Sequence, residues 1–115
     1  MTLERSFKLN DEQWDTLLLR CPKLEARDRG VFEAVLWVLI SALPWGDLDG
    51  SPTGRTAQTR YHRWVDCGEW PQLLESFLST LLPLEAEQWR GRLERAALLR
   101  RVRTGRSKRL VLALP

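Results

Sequence analysis

The 115-residue sequence predicts an all-α fold: a compact bundle of about five helices, with a helix-turn-helix-like unit in the second and third, a basic C-terminal helix and a short tail. Three observations lead there. Apolar residues recur every three or four positions in successive stretches. Proline and glycine stand between those stretches, at Pro22, Pro44, Gly68 and Pro83. The first stretch opens with a complete helix start signal. The length suits one domain, or one domain with a tail, divided here as residues 1–84 and 85–115. Hydrophobic residues make up 43%, and six tryptophans supply large building blocks, so a core can form without staples.

In the first helix Asn10 is the N-cap, Gln13 completes a capping box, and Leu9 can staple to Trp14. Asp11 and Glu12 lie where the helix dipole favours anions. Trp14, Leu17 and Leu18 share a face, and Pro22 stops the helix near Arg20 or Cys21. The second helix spans about Asp28 to Ala42. Val31, Val35, Leu36, Val38, Leu39 and Ala42, with Phe32 and Ile40, make it apolar nearly all round and hence the most buried. Pro44 to Gly54 reads as an ordered turn whose Trp45 and Leu48 tuck into the core. The third helix spans about Arg55 to Cys67, with a core stripe of Ala57, Tyr61, Trp64 and Val65 and with Gly68 as left-handed cap. The fourth has Pro71 at or near its first turn, buries Leu73, Leu74, Phe77, Leu78, Leu81 and Leu82, and ends at Pro83. The fifth spans about Glu85 to Arg103, with Trp89, Leu93, Ala96, Ala97 and Val102 as its stripe. Leu110 to Leu114 reads as either a short strand or a docking tail.

Net charge is only +3, but it is unevenly spread. Residues 11–50 carry eight acids against four bases, a net of −4. Residues 90–109 carry nine bases against Glu94, a net of +8. That block is either a phosphate-contacting surface or a solvated helix face. Cys21 and Cys67 match no metal-ligand spacing and read as reduced, partly buried thiols. The N-terminus shows no apolar signal-peptide core, and the apolar run Val31 to Leu43 is too short to span a bilayer. The expected location is the cytoplasm, on the nucleoid when bound to DNA, with no membrane partner.

No catalytic constellation can be assembled. Glycine-rich phosphate loops are missing. The single histidine, His62, lies among Arg60 and Arg63, a poor setting for a general base. Asp47 and Asp49 sit in a turn where capping explains them. The expectation is a non-enzyme with no cofactor, no metal and no small-molecule substrate.

The third helix carries the candidate binding chemistry. At about 100° per residue, Arg55, Thr59, His62, Arg63 and Asp66 oppose the core stripe, flanked by Thr56, Gln58 and Arg60. An apolar helix, a turn and then a basic helix is how helix-turn-helix readers of DNA are built. Arginine can pair bidentately with guanine and glutamine with adenine, and threonine can meet a phosphate or a thymine methyl. An ordinary solvated face is the alternative. Arg100, Arg101, Arg103, Arg106, Lys108 and Arg109 would add phosphate contacts.

Several segments also occur in a fixed order. Leu9-Asn10-Asp11-Glu12-Gln13-Trp14 opens the chain's first helix, and Pro22 and Arg29 follow. Next comes Pro44-Trp45-Gly46-Asp47-Leu48 after the apolar helix, then Thr56, Tyr61, Arg63, Trp64, Gly68 and Trp70. From about Phe7 to Leu82 this order resembles the N-terminal helical domain of bacterial insertion-sequence transposases. That family usually has glycine where Ala42 stands, a basic residue where Gly46 stands and proline where Asp49 stands. The resemblance implies recognition of double-stranded DNA at the element's ends. It implies no strand cleavage, since the acidic-triad nuclease domain that normally follows is missing. A second reading is a protein-interaction module that pairs with itself or with a full-length transposase through the C-terminal helix and the Leu110 to Leu114 tail.

Overall fold

The computed structural model describes residues 7–48, 50 and 52–104, with side chains as far as Arg101. Five α-helices run in order: α1 (Asp11–Arg20), α2 (Asp28–Ser41), α3 (Gly54–Asp66), α4 (Trp70–Leu78) and α5 (Pro83–Thr104). A single 3₁₀ turn, Trp45–Asp47, lies between α2 and α3, and the described residues contain no strand. The all-α bundle is the one the sequence predicts. None of these helices is long and apolar enough to cross a membrane. Arg106, Lys108, Arg109 and the Leu110 to Leu114 segment lie outside the described residues, as do the side chains of Val102 and Arg103.

Helix α1 starts as its sequence dictates. The Gln13 N–H donates to Asn10 Oδ1 at 2.8 Å, and the Asn10 N–H donates to Gln13 Oε1 at 3.0 Å. Each bond satisfies an amide that the first turn would leave orphaned. Leu9 and Trp14 are both buried, as a hydrophobic staple requires. Helix α2 is the central element and packs against both α3 and α5, while α1 packs on α4. Its Phe32, Ala34, Val35 and Leu36 are fully buried. Phe32 is also the hub of an aromatic core, with ring centroids 5.7 Å from Trp70, 6.1 Å from Phe77 and 6.2 Å from Trp64. Phe77 and Phe7 meet Trp89 of α5 edge-to-face at 5.0 and 5.1 Å. Such pairs add about 0.5–1.5 kcal/mol each beyond the area they bury.

Ala42 ends α2 in the left-handed region, with φ 57°. Residues other than glycine and asparagine are disfavoured there. The connection from Ala42 to Thr53 holds twelve residues, against three or four in the tightest helix-turn-helix units. It is held against α3 by a close backbone approach. A methyl group on Gly54 would overlap the carbonyl oxygen of Trp45. Thr53 caps α3 by accepting the Thr56 N–H at 3.2 Å. At the other end Gly68 has φ +74°. The Glu69 N–H reaches the Trp64 carbonyl at 2.8 Å, and the Gly68 N–H reaches that of Val65 at 3.1 Å. This pair of bonds is a Schellman cap, the ending that glycine permits.

Several expectations fail. Helix α4 ends at Leu78, not at Pro83: the Thr80 and Leu81 N–H groups turn to the carbonyls three residues back, at 3.0 and 3.1 Å, and the Ser79 and Thr80 hydroxyls bond the Ser76 and Phe77 carbonyls at 2.7 and 2.6 Å. Leu82 is therefore 70% exposed. Pro83 starts α5, where its missing N–H costs nothing, and Glu85 reaches back to the Leu82 N–H at 3.2 Å. Val65 is exposed, since the inward sector of α3 is filled by Ala57, Tyr61 and Trp64. Ala97 is exposed as well, one residue past the buried Ala96 on α5. Cys67 is exposed at the end of α3, whereas Cys21 is buried near the Ser76 hydroxyl and its pKa is raised by that burial.

Candidate nucleic-acid interface

Helix α3 lies against α2, the 3₁₀ turn and α4, which leaves one long face in solvent. Arg55, Thr56, Thr59, His62 and Arg63 are exposed, and Gln58 and Arg60 are half-buried. Arg55, Thr59 and Arg63 repeat at four-residue spacing, a row about 12 Å long at 1.5 Å per residue. Together with Thr56 and Arg60 they line one shallow depression of about 270 Å³. No carboxylate lines it among the described residues. Asp66 lies beyond it, at the C-terminal end of α3.

The sequence expectation treated these side chains as a group, and the structure divides them. Arg60 donates through Nη1 to Asp28 Oδ1 at 2.9 Å, and Asp28 is buried at the start of α2. The second Asp28 oxygen accepts the Glu25 N–H at 2.9 Å. Arg60 is thus tied to the interior. The Thr53 hydroxyl donates to Thr56 Oγ1 at 3.1 Å, which engages Thr56 in the N-cap. Among the described residues, the side chains of Arg55, Thr59, His62 and Arg63 make no such bond to another element, and the His62 ring meets Tyr61 of the same helix at 5.7 Å.

The basic C-terminal block is divided too. Arg90 forms a bidentate pair with Glu75, both N–H···O distances being 2.8 Å. The Arg90 hydrogen bonds hold the Glu75 carboxyl below its ordinary range and raise the guanidinium in turn. Arg100 donates to the Val38 carbonyl at 2.9 Å, and its guanidinium lies 5.8 Å from the Trp45 ring centroid. Arg92, Arg95 and Arg101 are exposed. Arg92 and Arg95 border a depression with the end of α2, while Arg101 borders a different cleft beside α3. At about 100° per residue, Arg92 and Arg101 necessarily fall on opposite flanks of α5, so the block is not one continuous surface.

Sequence reasoning missed a buried polar cluster. Glu33 accepts the Leu9 N–H at 2.7 Å, and Arg29 donates to the Leu9 carbonyl at 2.6 Å and to Asp11 at 2.9 Å. Arg29 Nε also lies 3.7 Å from Glu33. These residues clamp the entry to α1 onto α2. A carboxylate inside an otherwise apolar helix was the available signal, because a buried charge needs partners. Among the described residues no three His, Cys, Asp or Glu side chains group closely enough to hold a metal ion. Comparison of the chain with protein-family models, curated proteins and solved structures finds no match.

Proposed function

We propose that this chain is a double-stranded DNA-binding module of the insertion-element transposase type, which recognises DNA sequence and has no catalytic activity of its own. The observation that carries the reading is the Arg55, Thr59 and Arg63 row on the solvent face of α3, set in a depression that no carboxylate lines among the described residues. A helix of this length and charge fits the major groove, where arginine reads guanine and threonine reads thymine or phosphate. His62 and Gln58 flank the row, and Thr56 and Arg60 line the same depression while bonded within the fold. Arg101 sits on the α3 side of α5, and Arg103, Arg106, Lys108 and Arg109 follow it along the chain. These would supply phosphate contacts that hold the module on the duplex without reading bases.

Fluorescence anisotropy on labelled duplexes separates the two roles. Arg63→Ala costs about 1–3 kcal/mol on the preferred site and relaxes the preference. Removal of residues 105–115 weakens every duplex alike and flattens the dependence on salt. Equal binding by wild type and Arg63→Ala would sink the α3 assignment.

A second reading, self-association or pairing with a full-length transposase, is favoured by one observation. Leu84, Leu98 and Leu99 are 67%, 57% and 61% exposed along α5. A mass that rises with protein concentration, and falls to the monomer in Leu98→Glu, would favour it. A monomer at all concentrations would remove it.

A further inference from the structure

A second concave site lies on the other side of α3, where Trp45 of the 3₁₀ turn, Tyr61 and His62 of α3, Trp70 of α4, and Arg100 and Arg101 of α5 surround a cleft of about 430 Å³. This lies within the range of small-molecule sites, about 300–1,000 Å³. Its walls combine these rings with the aliphatic side chains of Leu39, Leu74, Leu93 and Ala97. The Tyr61 ring centroid is 5.6 Å from Trp45 and 5.1 Å from Trp70. One rim is cationic, and no carboxylate lines the cleft among the described residues. The rim is also organised in advance, because Arg100 is held over Trp45 by its bond to the Val38 carbonyl. Burial raises the Tyr61 phenol above its ordinary pKa, with Arg100 opposing, as expected beside a poorly hydrated wall.

Aromatic walls next to arginines form the pattern that receives unstacked bases with their phosphates. We propose that this cleft is a nucleotide site, in which a nucleobase lies against Trp45, Tyr61 and Trp70 while its phosphate meets Arg101 and His62. The inference extends the nucleic-acid reading above from paired DNA to a single unpaired nucleotide, either free or at a strand end. Duplex is excluded from the cleft because a paired and stacked base presents no free ring to its walls. Arg100 acts as a positioning residue that fixes the Trp45 ring.

The test uses the full chain labelled for NMR, with the tryptophan indole N–H signals assigned. The probes are deoxyadenosine 5′-monophosphate, deoxyadenosine, and a 5′-phosphorylated oligo(dA) single strand. The monophosphate is expected to shift the Trp45 and Trp70 signals saturably at millimolar concentration and to leave buried Trp14 in place. Deoxyadenosine should bind about tenfold more weakly, the weight of one charge-assisted contact. Arg101→Glu should show a similar loss, and Ala97→Phe, which fills the cleft from its exposed edge, should abolish the response. Tighter binding of the single strand than of the monophosphate identifies a strand end as the occupant, and the reverse order identifies a free nucleotide. A saturable response upholds the inference whether or not duplex DNA binds α3. No saturable shift at Trp45 or Trp70 with either phosphorylated probe overturns it, and so does equal binding of deoxyadenosine and its monophosphate.

Discussion

Arg60 and Arg63 stand three residues apart on α3, and the structure gives them different surroundings. Asp28 is nearly sealed from solvent, with a side-chain exposure of 3%, against 27% for Arg60. Its Oδ1 depends on Arg60 and its Oδ2 on the Glu25 N–H. Removing one partner of a buried ion pair costs about 3–5 kcal/mol, mostly because the other charge is left uncompensated. Here the Glu25 bond survives, and water can follow along the quarter of Arg60 that is exposed. Arg60→Ala is therefore expected to cost about 2–3 kcal/mol. Arg60→Met, which keeps the stem and removes the charge, should cost nearly as much. Adding Asp28→Asn to Arg60→Ala should recover about 1–2 kcal/mol, because the amide leaves no buried charge uncompensated. Arg63 is exposed and its side chain meets no partner on another element among the described residues, so Arg63→Ala should stay within about 0.5 kcal/mol of wild type. Urea unfolding followed by tryptophan fluorescence and far-UV circular dichroism reads all four variants, with unchanged m values. The reasoning fails if Arg60→Ala matches wild-type stability, or if Arg63→Ala loses as much as Arg60→Ala.

Three further variants probe the frame that presents α3. Ala42→Gly relieves the left-handed backbone at φ 57° and should raise stability by about 0.5–1 kcal/mol, net of the entropy glycine adds to the unfolded chain; a lower melting temperature would contradict this. Gly54→Ala forces the Trp45 carbonyl away from α3 and should cost about 1–3 kcal/mol in thermal unfolding, so a neutral result would refute the close approach. Glu33→Ala removes the acceptor of the buried Leu9 N–H and should cost about 1–3 kcal/mol, with early loss of amide protection at Leu9. On the surface, NMR titration should place the Glu75 carboxyl below the ordinary glutamate value, and Arg90→Ala should return it there. The sign follows from the lowered folded-state value. This pair's contribution is complete at neutral pH and fades as pH falls through the Glu75 titration, and it stays small because both groups face solvent.

Much of the bundle is legible in the sequence because its signals are local. The Asn10–Gln13 capping box, the stop near Pro22 and the Gly68 cap each depend on residues within one turn, and all occur as expected. The boundary between α4 and α5 is hidden in the sequence because Leu81 and Leu82 continue the apolar spacing past the helix end at Leu78. Past Leu78 the backbone tightens to bonds three residues back and the Ser79 and Thr80 hydroxyls take up preceding carbonyls, a local geometry that periodicity does not show. The exposed row of α3 was legible from its angular spacing alone. The engagement of Arg60 and Arg100 was not, because Asp28 and Trp45 reach them only through tertiary folding. Basic residues close in sequence can differ in role, and burial of the partner decides which are committed to the fold.

The central claim is that α3 reads duplex DNA. The most direct measurement is selection from a random duplex pool with the full chain at near-physiological salt, repeated with Arg55→Ala and Arg63→Ala. The account predicts an enriched motif with wild type that both variants lose while keeping wild-type stability. An absence of duplex binding, or a motif that survives both substitutions, would contradict it.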